Sequence, residues 1–121
     1  MAYVFSFEKL NVWIDSKELV KLIYLVTQKF PPEEKFGLTS QLRRSSVSVA
    51  SNLAEGTSRN TNKDKAHFTT LSFSSLMEVL NQIIIAYELD FIVQSDYKLI
   101  RTDVEKISNK LNALRKAQLN S

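Results

Sequence analysis

The 121-residue sequence contains no cysteine. That excludes a disulfide framework and any thiolate zinc site. Its one histidine, His67, is too little imidazole for a transition-metal centre. Only two glycines and two prolines are present. Turn chemistry is therefore scarce, and the chain must consist of few, long elements, which at this length means helices. No Gly-rich loop exists to cradle a phosphate. No apolar run is long enough to span a bilayer, and the run 83–86 falls far short. The chain does not open on a charged-then-apolar segment of signal-peptide type. Nothing pairs a nucleophile with a base, or two carboxylates for acid–base work. The expectation is a non-enzymatic cytoplasmic protein without metal or cofactor, a single domain over residues 1–121. Its net charge of +3 permits nucleic-acid binding without demanding it.

What is present centres on residues 37–59. Gly37 and Gly56, the only glycines, bracket a helix-length run rich in Ser and Ala. Leu42, Val49 and Leu53 recur at helical spacing, as do Val47, Ala50 and Ala54. Side chains this small let neighbouring backbones approach closely. Thr39 or Ser40 is the expected cap, with Pro32 as an alternative start. Gly56 suits the left-handed residue just past the helix end.

Before this stretch, residues 1–6 read as a short leader. Phe7, Leu10, Trp13, Val20, Ile23, Thr27 and Phe30 then mark one helix face. Val12, Leu19 and Val26 form a second stripe, and the two together exceed what one neighbour covers. That surplus suits a monomer core or a subunit contact. Pro31 and Pro32 stop this helix. The polar, basic segment 57–65 is the most loop-like in the chain, with Asn62 as the expected N-cap of a third helix. That helix carries Phe73, Leu76, Leu80, Ile83 and Tyr87. The β-favouring run 83–85 yields to the helical period around it. After a break at 90–95, with Ser95 as the expected cap, Tyr97, Ile100, Val104, Ile107, Leu111 and Leu114 give the cleanest seam. Four long helices with short connections predict an all-α, antiparallel up-down-up-down four-helix bundle.

Specific residues add a family resemblance. They are Phe7-Glu8-Lys9-Leu10-Asn11-Val12-Trp13, Phe30-Pro31 with Glu34, Phe36-Gly37-Leu38, Gln41-Leu42-Arg43-Arg44, and Asn52-Leu53-Ala54-Glu55-Gly56 with Arg59. In this combination and order they resemble the 23S rRNA intervening-sequence proteins and, more distantly, the accessory protein of diversity-generating retroelements. The resemblance implies an up-down bundle assembled as a ring-like homopentamer, with RNA or DNA as partner and no established enzymatic activity. It weakens in the third helix. There Ser72-Phe73-Ser74-Ser75 stands for the family's small Ala-x-Gly-Ser step, and Glu78 is not followed by a second acid.

Candidate contact residues are Arg43, Arg44, Arg59, Lys63 and Lys65. Arg43 and Arg44 are adjacent, so they point about 100° apart on a helix. Either one meets phosphate, or one pairs with an acid such as Glu55 or Glu78. Arg59, Lys63 and Lys65 lie in a polar loop with no apolar anchor, free to meet phosphate. Asn52 and Glu55, three apart, are expected to form a largely buried polar cluster with Arg59 or Arg43 beside it. Basic residues of the last helix read as a solvated face. Two functions follow: a homo-oligomer that binds nucleic acid, structured RNA foremost, through phosphate contacts, or a scaffold that docks a protein such as a reverse-transcriptase-like enzyme.

Overall fold

The computed structural model describes residues 2–121 and contains four α-helices and two short 3-10 turns. A 3-10 turn, Ser6–Lys9, precedes α1 (Asn11–Thr27). A second turn, Pro32–Glu34, leads into α2 (Leu38–Thr57), followed by α3 (Asn62–Glu88) and α4 (Gln94–Leu119). Contacts between helices fix their directions. Lys29 at the end of α1 pairs with Asp96 at the start of α4 at 3.2 Å, and Asp15 early in α1 meets Lys110 late in α4. Ser45 near the start of α2 donates to Gln82 late in α3 at 2.7 Å. Thr69 early in α3 donates to Gln118 late in α4 at 2.8 Å. The bundle is therefore antiparallel throughout.

One apolar core runs down its axis, filled by Leu19, Ile23, Leu42, Val49, Leu76 and Ile83 with the α4 seam Ile100, Val104, Ile107 and Leu111. The stripe Val12, Leu19 and Val26 is fully part of this core, at 4%, 0% and 3% exposure, and is not a surplus outer face. The helix is rotated so that this stripe points inward, while Tyr24 and Leu25 reach solvent.

The serine-rich α2 packs closely on α3. Ser72 donates across to the Val49 carbonyl at 2.8 Å, and Ser48 and Ser75 share a hydroxyl–hydroxyl bond of the same length. Ser16 and Ser46 bond carbonyls of their own helices. Among the described residues no buried side-chain polar atom lacks a partner, so the polar interior carries no desolvation penalty of unpaired groups.

The helix ends correct several sequence expectations. Gly56 lies inside the last turn of α2, and neither glycine has positive φ. Its role is close approach: a Cβ there would stand 2.8 Å from Phe68 Cβ on α3. The left-handed residue is Asp90, φ 65°, whose short polar side chain tolerates that conformation. It ends α3 in a Schellman motif, with Phe91 N–H on the Ala86 carbonyl and Asp90 N–H on that of Tyr87. Thr61, not Asn62, caps α3, its hydroxyl accepting from Asp64 N–H. Neither Thr39 nor Ser40 caps α2; Gly37 precedes it and the Glu34 carboxylate accepts from Leu38 N–H. Ser95 lies inside the first turn of α4, which Val93 precedes. Of the leader, residue 1 lies outside the described residues. The remainder folds back through a relay of rings, Tyr3 on Phe5, Phe5 on Phe7 and Phe7 on Trp13 at centroid distances of 4.9, 6.4 and 5.0 Å.

By length and composition alone, α3 is long and apolar enough to pass as a membrane span, contrary to the expectation from its short uninterrupted apolar runs. Its inward residues Leu76, Val79, Ile83 and Ala86 are, however, consumed by the bundle core, beside buried Thr69, Ser72 and Ser75.

Candidate nucleic-acid interface

The antiparallel order gathers four chain segments at each end of the bundle. One end holds the first 3-10 turn, the end of α2, the start of α3 and the end of α4. All four line a single pocket of about 480 Å³ there. Lys9, Arg59, Lys63, Lys65, Arg115 and Lys116 lie in these segments against only Glu8, Glu55 and Asp64. The other end joins the α1–α2 and α3–α4 connections, with Phe30 against Phe91 at 5.7 Å. It carries Glu33, Glu34, Glu88, Asp90 and Asp96 against Lys29, Lys35 and Lys98. Each end presents two helix N-termini and two C-termini, so helix dipoles offset one another. The side chains alone make one end basic and the other acidic.

The five predicted contact residues divide among three places. Arg43 faces α1. Its Nε donates to Thr27 Oγ1 at 2.9 Å and Nη2 to the Tyr24 carbonyl at 3.4 Å, with the guanidinium 4.5 Å from the Tyr24 ring centre. Its partner is the end of α1 rather than Glu55 or Glu78; the Thr27 hydroxyl and Tyr24 carbonyl also hold bonds within that helix end, so Arg43 ties α2 onto the last turn of α1. Arg44 points the other way, into a polar cleft of about 340 Å³ between α2 and α3 that Gln41, Ser45, Ser48, Glu78 and Gln82 also line. Arg59, Lys63 and Lys65 lie at the basic end, but not in the expected 57–65 loop: the link between α2 and α3 is only residues 58–61, and both lysines stand in the first turn of α3. Arg59 donates to Glu55 at 3.2 Å and stacks on Phe68 at 4.4 Å, which fixes its guanidinium against the surface. Lys63 is exposed and Lys65 half-buried at the pocket wall; neither they nor Lys9 has an ion-pair partner among the described residues.

Asn52 and Glu55 do not form the expected buried cluster. Asn52 is half-buried and donates to the Ser48 carbonyl at 2.9 Å, while the Glu55 side chain is 56% exposed and holds only Arg59. Helical geometry explains this. Each three-residue step turns back about 60°, so from inward Val49 the series 52, 55 walks off the core face. Sequence reasoning also passed over Lys9, Arg115 and Lys116, which reach the basic end from remote parts of the chain. Arg115 is held there by its Nε bond to Thr70 Oγ1 at 2.8 Å. Among the described residues no three of Asp, Glu and His converge as metal ligands.

The model of the family described as 23S rRNA-intervening sequence protein matches residues 8–113. The chain belongs to this family. Its fold matches the crystal structure of a protein of unknown function from the S23 ribosomal protein family of Bacteroides thetaiotaomicron VPI-5482, with a TM-score of 0.80 at 21% sequence identity. The match covers 87% of this chain and 98% of that one. At that identity the likeness bears on the bundle alone. No curated protein matches the sequence.

Proposed function

We propose that this protein is a non-enzymatic, cytoplasmic homo-oligomer that binds nucleic acid, structured RNA foremost, by phosphate contacts at the basic end of its bundle. The observation that carries the reading is the convergence there of Arg59, Lys63 and Lys65 with Lys9, Arg115 and Lys116 from two other segments. Clustered basic side chains attract a polyanion and contact its backbone without reading sequence. Arg44 contributes from the side of the bundle; Arg43, committed to α1, does not. One subunit offers few contacts, and an assembly repeats them, so that weak contacts combine into useful affinity.

The assembly surface is the apolar groove of about 300 Å³ between α1 and α2, walled by Phe7, Trp13, Val20, Val47, Ala50 and Ala54. The family resemblance makes the oligomer a pentamer. Light scattering is expected to give five times the 13.9 kDa chain mass, and Val47→Lys to lower it. A monomer mass for the parent would refute the assembly. The same groove supports a second reading, a scaffold for a partner protein such as a reverse-transcriptase-like enzyme. Fluorescence anisotropy with a labelled RNA hairpin at low salt separates the two. The nucleic-acid reading expects binding that the combined Arg59→Ala, Lys63→Ala and Lys65→Ala variant weakens with the oligomer intact. Absence of binding by the parent would leave the scaffold.

A further inference from the structure

The pocket at the basic end has a chemistry of its own. Its volume of about 480 Å³ lies within the ~300–1,000 Å³ usual for small-molecule sites. The inner wall is aliphatic, from Leu10, Leu53 and Leu114. Two lysines from different elements, Lys9 of the first 3-10 turn and Lys65 of α3, also line the pocket, neither of them in an ion pair. Two carboxamides line it as well, Asn62 exposed and Gln118 half-buried. The Gln118 Oε1 already accepts from Thr69 Oγ1, so its Nε2 remains to donate. An occupant that engages all three must therefore offer an apolar body, hydrogen-bonding edges and negative charge.

We infer that this pocket takes a single unpaired nucleotide, its base against the leucines with an edge on Asn62 and Gln118, and its phosphate between Lys9 and Lys65. This rests on the nucleic-acid reading and makes it specific for unpaired ends or extruded bases over continuous duplex. An acyl chain with a carboxylate head would satisfy the lysines and leucines. It would also press methylenes against the half-buried Gln118 Nε2 and leave that donor without a partner, which is costly. A base presents donors and acceptors on its edges and a face that tolerates aliphatic contact. Single-stranded RNA is read in this way, by unstacked bases splayed into protein. Lysine contacts to the backbone supply position rather than sequence.

The test uses the full-length protein and two labelled RNA hairpins, identical except that one carries a three-nucleotide single-stranded extension. The parent is expected to bind the extended hairpin at least roughly fivefold more tightly than the blunt one, the size of one or two net hydrogen bonds. Ala117→Trp fills the pocket from an exposed position on its wall without changing charge. It should erase the preference while leaving blunt-hairpin affinity unchanged. Asn62→Ala, on the exposed first turn of α3, removes one edge contact and should reduce the preference even where the tryptophan disturbs folding. Equal binding of both hairpins by the parent, or a preference that survives in a folded Ala117→Trp variant or in Asn62→Ala, overturns the inference and leaves general phosphate binding in place. Failure of the parent to bind either hairpin at low salt overturns the nucleic-acid reading, and this inference with it.

Discussion

Gly56→Ala is the substitution whose outcome the packing of α2 on α3 fixes most sharply. Helix propensity alone predicts a gain, since alanine is favoured over glycine within a helix by up to about 1 kcal/mol. Packing predicts the opposite. The new methyl would sit 2.8 Å from Phe68 Cβ and 3.6 Å from the Lys65 carbonyl oxygen. A Cβ is attached directly to backbone, so no rotation of the phenylalanine relieves the overlap; the ends of α2 and α3 must separate. Forcing an extra carbon into a filled contact costs about 1–3 kcal/mol. The propensity gain is also smaller in a last turn than mid-helix. The net expectation is a loss of about 1–2 kcal/mol, or about 4–8 °C in Tm for a chain of this size. Thermal and urea unfolding followed by circular dichroism would measure it. A variant as stable as the parent, or more so, would mean that the glycine serves no packing role and that the α2–α3 approach described above is wrong.

Two further substitutions probe the charge pairs. Asp15→Asn should cost about 1–2 kcal/mol in urea unfolding, because this mostly buried carboxylate holds Lys106 and Lys110 of α4 while both lysines keep access to water; a fully buried pair would cost about 3–5. No change would mean that the α1–α4 seam is held by apolar contacts alone. Glu55→Ala should move stability by no more than about 0.5 kcal/mol, since its bond to Arg59 is an exposed pair one helical turn apart. A larger loss would place Glu55 in a buried environment after all.

The helices were legible in the sequence because their apolar spacing persists over many turns, and with two prolines and two glycines the chain has few places to reverse. Rotation of each helix about its axis was less legible. Two adjacent stripes on α1 were both apolar, and only the positions of α2 and α4 decide that Val12, Leu19 and Val26 face inward. Caps shifted by a residue because neighbouring Thr61 and Asn62 are both good capping residues, and only the backbone path chooses between them. Gly56 was misread as conformational because close approach is invisible until the partner helix is placed. The same holds for the site. Arg59, Lys63 and Lys65 fall close together in the sequence and read as a basic loop, although both lysines lie in the first turn of α3. Lys9, Arg115 and Lys116 join them only through the antiparallel topology. Alternation of four helices by itself dictates that residues 9, 115 and 116 share an end with residues 59–65.

The central claim is that the basic end neutralises phosphate charge, and the salt dependence of binding reads that directly. Log affinity for a duplex should fall linearly with log salt, by roughly 0.9 for each phosphate contacted. Removing Arg59, Lys63 and Lys65 together should therefore flatten the slope per binding site by up to about 2.7, with weaker binding on unrelated sequences alike. Parent and triple variant giving the same slope and affinity would contradict the account, because the phosphate contacts would then lie elsewhere on the molecule.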